Sequence, residues 1–365
     1  MRFWITTAAL VAAGPAFAQQ VAFKPLLEAR ARWEHLDQAD FDAASDAVTL
    51  RVRAGLELRK GPWSVLGEAQ GNLAVVDDYY DGLHGPANRP TIGDPENVAI
   101  YRAQLQYRSA PLTVTAGRQR IGLDDERFVG AAQIRNNAQT FDAVRTEIVP
   151  VQGLKLDLTY AWDVRTIWGT EGRGARQRGV GGHNVFANLG AATPLGTLTG
   201  FAYLVDQDEA EVQGFRLSNQ SYGVRLAGAR AIAPEAKLRY QLSWARQSDY
   251  HHNPTRYRAD YWLADAALDV RGWTVNAGYE VLGADGGQTL TSFQTPLGSV
   301  FKFQGWADKL TTTPPNGVRD FYAGGGHGWK KLGGIDTLSL QAVWQASPQG
   351  LCARQRFGRH NANIG

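Results

Sequence analysis

Residues 48–59 read VTLRVRAGLELR, and every second side chain is apolar. Val48, Leu50, Val52, Ala54, Leu56 and Leu58 fall on one face, and Thr49, Arg51, Arg53, Gly55, Glu57 and Arg59 on the other. Successive side chains of an extended chain point to opposite sides, so this stretch is a strand with one apolar and one polar face. The period returns at Ala99, Tyr101, Ala103, Leu105 and Tyr107, then at Leu154, Leu156, Leu158, Tyr160 and Trp162. It recurs at Leu238, Tyr240, Leu242 and Trp244, and at Trp273, Val275, Ala277, Tyr279 and Val281. Working outward from Phe23, about fifteen such segments follow one another, the last from Asp336 to Gln345. Their length, roughly ten to fourteen residues, is about twice that of a soluble strand. It matches a tilted strand that crosses a bilayer.

The connections alternate too. Short turns stand at Lys60-Gly61-Pro62, Ser109-Ala110-Pro111, Pro150 to Gly153, Thr193 to Gly196, Ala233-Pro234-Glu235 and Arg271-Gly272. Long polar loops cover roughly 36–46, 77–96, 121–138, 166–182, 206–218, 247–256 and 283–317. Short turns on one side and long loops on the other predict an all-β, transmembrane, antiparallel up-and-down barrel with its turns in the periplasm. Trp33, Trp63, Tyr107, Trp162, Trp244, Trp273 and Trp344 near strand ends fit interfacial girdles. A soluble sandwich would need a second apolar layer over these faces, and no segment is left to supply it.

Composition agrees with that class. The chain has 365 residues with 41 Gly, 11 Trp, 13 Tyr and 14 Phe, but one Cys and one Met. Arg2, the apolar run Phe3 to Val11 and the ending Ala16-Phe17-Ala18 predict a secretory signal peptide over residues 1–18. An exported chain with one Cys is no disulfide scaffold. Beyond residue 18 no apolar run has the ~18–20 residues of a membrane-spanning helix. The net charge of +3 resides at the ends. Arg2 and the tail arginines Arg354, Arg356 and Arg359 leave the body from Gln19 to Ala346 slightly acidic, so nucleic acid is not an expected partner.

Fifteen strands is an odd count, whereas single-chain bacterial barrels have an even one, so 16–18 are expected when intact. Residues 347–365 show no period of two, hold the only Cys and end without an aromatic. They read either as out-of-frame translation after Ala346, with one to three strands missing, or as an ordinary disordered terminus. The barrel itself is expected over residues 19–346.

The polar face is rich in arginine: Arg30, Arg32, Arg51, Arg53, Arg59, Arg102, Arg108, Arg165, Arg225 and Arg239, with Glu28, Glu34, Glu57, Glu68, Asp157 and Asp163 among them. Guanidinium groups bind carboxylates and phosphates in bidentate fashion. Inside a pore they favour an anion, while the interleaved acids fix their rotamers and prevent trapping. A structural lattice bracing a wide barrel is the compatible alternative. Residues 117–145, GRQRIGLDDERFVGAAQIRNNAQTFDAVR, leave on one strand, cross a loop and return on the next. The loop carries Arg127 and Arg135 beside Asp124, Asp125 and Glu126 and is a candidate lumen gate. Arg118 and Arg120 continue the apolar register of Leu112, Val114 and Ala116. They sit near the outer headgroups unless a bulge at Gly117 turns them inward.

That segment resembles the alginate-export family of outer-membrane barrels: a GRQ strand, an acidic-Arg-Phe loop and a return through Gln-Thr-Phe-Asp-Ala-Val-Arg. The likeness runs over nearly the whole chain to Ala346. It implies an Arg-lined constriction that passes an anionic polyuronate across the outer membrane, and it points to Arg118, Arg120, Arg127, Arg135, Asp142 and Arg145. Arg51, Arg53 and Arg102 join them as candidate substrate-binding residues from the inner face. Outer-membrane lipid, lipopolysaccharide, an anionic saccharide or organic anion and the barrel-assembly machinery are the implied partners. A general or phosphate-type small-anion porin is the alternative function. No cofactor is expected, and His251-His252 lacks further converging ligands for a metal. The acidic loop clusters read as solvated. No nucleophile–base spacing marks an enzyme.

Overall fold

Backbone pairing carries the alternation into three dimensions. The computed structural model describes residues 2–3, 21–208, 213–303, 311–332, 335–346 and 361–364. Fifteen long strands follow in order: β1 (Ala22–Leu36), β2 (Ser45–Lys60), β3 (Trp63–Asp78), β4 (Asn97–Arg108), β5 (Leu112–Gln119), β6 (Thr140–Val151), β7 (Leu154–Arg165), β8 (Gly179–Thr193), β9 (Gly196–Val205), β10 (Asn219–Ala233), β11 (Ala236–Asp249), β12 (Arg258–Val270), β13 (Trp273–Leu282), β14 (Val318–Leu332) and β15 (Ile335–Ala346). Each pairs antiparallel with its neighbours in sequence, as in an up-and-down barrel. Single turns of 3-10 helix at Gly214–Leu217 and Val300–Lys302 are the helical elements among the described residues. Asn361–Ile364 pairs antiparallel with β15 at Leu338–Gln341 and in parallel with Arg2–Phe3. The rest of the expected signal peptide and residues 347–360 lie outside the described residues.

The two faces separate as their chemistry requires. Leu50 and Val52 are each 39% exposed on the outside, whereas Thr49, Arg51 and Arg53 between and beside them are 2% exposed. The outward set continues through Leu56, Val65, Leu73, Val98, Leu105, Leu158, Leu189, Val224, Leu242 and Val275, the apolar belt that lipid covers. Trp63 packs edge-on against Tyr107, and Trp244 lies beside Trp262.

One segment departs from the simple period. Ala99 and Tyr101 are expected on the face of Ala103, Leu105 and Tyr107, but Val98 and Ile100 are the exposed pair, and Tyr101 is 5% exposed. The cause is a β-bulge: Glu68 pairs with Arg102 and Ala69 with Ile100, which leaves Tyr101 as an extra residue. A bulge inverts the side-chain parity of everything beyond it. Tyr101 thereby turns into the lumen, beneath the Arg53 guanidinium at 3.7 Å from its ring centre.

The lumen is not hollow. Over the arc β6 to β12 the inner face carries Phe141, Phe186, Phe201, Tyr203, Tyr261 and Leu263, all buried against residues of the loop between β5 and β6. Because Leu50 stands mid-strand on the lipid face, Leu50→Arg should cost about 2–4 kcal/mol of folding free energy in a bilayer. Denaturant titration of folding into lipid vesicles would measure this. Arg51, one residue along, is tolerated only because it points the other way.

Candidate functional site

The loop between β5 and β6, residues 120–139, folds into the barrel as a strap. Its entry is built by the GRQ strand end. Gly117 has φ +106°, and a Cβ there would stand 2.3 Å from the Ala103 carbonyl oxygen, so the close approach of β4 and β5 requires glycine. Gln119 points inward and donates from Nε2 to the Ala143 and Thr115 carbonyls at 2.9 and 3.1 Å, knitting β5 to β6 where the ladder ends. Within the strap Asp124, Glu126 and Ala132 all have positive φ, 52°, 64° and 46°. Non-glycine residues hold such angles only where their surroundings over-determine them.

Those surroundings come from every side. On the β1–β3 wall, Arg30 donates to the Gln133 and Ile134 carbonyls at 3.1 and 2.9 Å. Asn136 donates to Thr49 Oγ1 at 2.7 Å and to Asn72 Oδ1 at 3.0 Å, and its backbone N–H reaches Asp94 Oδ1 at 2.6 Å. On the β8–β11 wall, Asp124 accepts from Asn188 at 3.0 Å and from Tyr203 and Arg225 at 3.4 Å, and Gln241 donates to Asp125 at 2.6 Å. Burial pushes the Asp124 carboxyl up, and Arg225 pulls it part of the way back. At β13, Arg127 Nε meets Glu280 at 2.7 Å, and its Nη1 donates to Thr295 at 3.1 Å. From the loop 283–317, Ser299 donates to Glu126 at 2.6 Å and accepts from the Ala132 N–H at 2.9 Å. Phe128 is the apolar anchor. Its ring centre lies 5.0–6.0 Å from those of Phe201, Tyr203, Tyr261 and Phe293.

Beside the strap stands an arginine wall. Arg32 forms close ion pairs with Asp94 and Glu34, and Arg51 with Glu28. Arg53 lies 3.5 Å from Glu28 and donates to Gln70 at 2.7 Å. Arg102 meets Glu68 at 2.6 Å. Arg135 comes from the strap itself, 3.6 and 3.7 Å from Glu34 and Asp94 and 5.3 Å from the centre of the Phe301 ring. Among the described residues six arginines, Arg30 included, therefore face four carboxylates on this wall. Buried nitrogens Arg32 Nε, Arg51 Nε and Arg53 Nη2 have no hydrogen-bond partner among the described residues.

The residues singled out from sequence divide into groups. Arg51, Arg53, Arg102 and Arg135 come together on this wall. Arg127 is fully buried at the far anchor. Arg145 is on the inner face of β6, bound through Nε to Asp157 at 2.9 Å. Arg118 is elsewhere. Pairing runs through Gly117 without a register shift, so Arg118 stays in register with Leu112, Val114 and Ala116; it forms a bidentate pair with Asp142, both bonds 2.8 Å, and lines a cavity with Gln70, Tyr101, Asn137 and Arg165. Arg120 is exposed at the outer end. Asp94, Asn136, Glu280 and Ser299 carry the strap and were not singled out, while Glu34 and Phe128 were noted only as an inner-face acid and as part of the loop motif. Their partners lie up to 173 residues away in sequence, and no local pattern marks them.

A family model described as alginate export matches residues 27–281. No curated protein sequence matches the chain. Among solved structures the chain is similar to Acinetobacter baumannii OccAB3, with TM-score 0.62 and 12% identity, covering 88% of this chain and 82% of that one. Pseudomonas aeruginosa OccK8 (OprE) aligns with TM-score 0.61 and 13% identity over 89% and 84% of the two chains. P. aeruginosa OpdK, solved with vanillate, aligns with TM-score 0.58 and 11% identity over 91% and 95%. At these identities the likeness is one of fold.

The strap geometry makes a direct prediction. Arg127→Met takes the guanidinium away from the buried Glu280 carboxylate, a loss of about 3–5 kcal/mol. Hydrogen exchange of the amides 121–139 should accelerate accordingly. Adding Glu280→Leu should restore much of the protection, since the pair is then replaced by apolar groups.

Proposed function

From the premise that this chain belongs to the alginate export family, we propose that it is an outer-membrane pore that passes an anionic polysaccharide of the polyuronate type along its arginine wall. Family and fold make it a non-enzymatic channel protein of the outer membrane. The observation that carries the finer reading is the charge balance of the wall: six arginines against four carboxylates, on strands and strap that meet inside the lumen.

The buried guanidinium groups act as fixed charge. Arg30, Arg32, Arg51 and Arg53 are each 2–3% exposed, so a solute feels their field more than it touches them. Arg102, Arg145 and Arg225 retain between 16% and 25% side-chain exposure and are positioned to contact it. Each exposed arginine shares its guanidinium with an acid. Carboxylates of a passing uronate exchange against those partners in small steps, so the solute is attracted without being held. Ion pairing and anion conduction are thus one arrangement. Interaction with outer-membrane lipid follows from the apolar belt. Contact with lipopolysaccharide and delivery by the barrel-assembly machinery are part of the same reading.

The anchored strap favours a second outcome, a pore for small organic anions, because a polymer needs the strap to move and a small anion does not. Planar-bilayer recording separates the two. Chloride-over-potassium selectivity with block that strengthens as oligouronate length increases supports polysaccharide passage. Block by monomeric carboxylates alone supports the small-anion pore, and cation selectivity overturns both. A unit charge about 8 Å from a solute in water contributes about 0.5 kcal/mol. Neutralising the arginine moves the anion and the cation by that amount in opposite directions, so Arg102→Gln and Arg145→Gln should each lower the anion-to-cation permeability ratio roughly fivefold, read from the reversal potential.

A further inference from the structure

Opposite the arginine wall the lumen carries acids. Asp125 of the strap, Asp265 on β12, Glu280 on β13 and Asp320 on β14 line one cavity of about 240 Å³, together with Asn276 and Phe303. Glu280 is matched by Arg127 at 2.7 Å. Asp125 accepts from the Gln241 amide at 2.6 Å and Asp265 from the Tyr322 hydroxyl at 2.7 Å, neutral donors that leave both charges in place. Asp320 is 1% exposed. One of its oxygens accepts from Gln345, and the other, Oδ1, has no hydrogen-bond partner among the described residues. Asn276 Oδ1 is a second buried acceptor without a donor among the described residues.

A buried acceptor left unpaired is costly, and a charged one more so. Two of them line the same cavity, and among the described residues the side-chain hydrogen bonds to Asp125, Asp265 and Asp320 come from neutral donors, with Arg127 the cation whose field reaches Asp125 and Asp320. A water molecule would supply hydrogens without charge. Among the described residues no acidic cluster has the geometry to hold a metal ion. A group with several N–H donors and a positive charge satisfies both demands. Phe303, whose ring centre lies 4.6 Å from the Arg127 guanidinium, adds an aromatic surface of the kind that favours cations.

We propose that this cavity is a cation subsite of the lumen, taking an ammonium or guanidinium group on Asp320 and Asn276 with Asp125 and Asp265 supplying the field. It goes beyond the anion pathway and rests on the pore reading only in that a solute reaches it from the lumen. The test reads binding rather than current, so the two readings fail separately. Saturation-transfer NMR on the full chain folded in detergent micelles would use methylguanidinium as the probe. Tetramethylammonium, with the same charge and no N–H, is the control. Millimolar binding of methylguanidinium is expected, at least tenfold tighter than the control, and weakened tenfold or more by Asp320→Asn and by Asn276→Ala. Folding of each variant is checked by its heat-dependent gel mobility. If Asp320→Asn fails to fold, Asn276→Ala and Asp265→Asn carry the test. Equal binding of both cations, binding indifferent to these substitutions, or no binding to the folded chain overturns the proposal.

Discussion

Hydrocarbon offers a peptide group nothing to bond with, so each strand that faces lipid must find its N–H and C=O partners on the strands beside it. Everything else in this molecule follows from that constraint. It forces the chain into one continuous antiparallel sheet. The period of two then sends half of every strand into lipid and half into the lumen. The lipid half has little freedom beyond being apolar. The lumen half is where the chain differs from a generic wall, and it is filled with arginines, carboxamides and acids that would be intolerable one residue along.

Charges in that interior are held by one another. Arg32, Asp94, Glu34 and Arg135 form a single cluster drawn from β1, the loop after β3 and the strap. Removing one member strands the others, whereas replacing the whole set with packed hydrocarbon could be neutral for stability. Such clusters therefore argue for position rather than for bulk stability. They place a twenty-residue loop in one pose inside a wide barrel, which apolar packing around Phe128 alone would leave free to rotate. The left-handed residues Asp124, Glu126 and Ala132 sit between these anchors, where the chain must turn sharply to reach the next wall.

Strand placement was legible from residues alone because alternation is local: the faces of β2, β7, β11 and β13 follow from parity. Parity fails where pairing inserts a residue, as at Tyr101, since a bulge is a property of two strands and neither one records it. The strap was legible as a candidate gate from its length and its Arg-Asp composition, but not its anchors. Arg127 finds Glu280 and Glu126 finds Ser299 across more than 150 residues, through barrel curvature that no local pattern contains. Arg118 shows both sides of this. Its alternation set it with Leu112, Val114 and Ala116, and the structure pairs it with Asp142 at a cavity that Gln70, Tyr101 and Asn137 also line, which no local pattern contains.

The two walls of the lumen are chemically unequal, and the strap joins them. Its Gln133 to Asn137 end is held by arginines and carboxamides of β1 to β3, while its Asp124 to Arg127 end is held by β8 to β13, beside the cavity lined by Asp125, Asp265, Glu280 and Asp320. A loop bridging walls of opposite sign lies along the field between them. A displacement that weakens contact at one end leaves charge of the corresponding sign uncovered there: arginine at the β1–β3 side, carboxylate at the β12–β14 side. On the proposed pore reading, electrostatic attraction to a solute and attachment of the strap compete for the same groups. A lumen built in this way would couple its occupancy to the position of the strap, with no separate element needed to sense the solute.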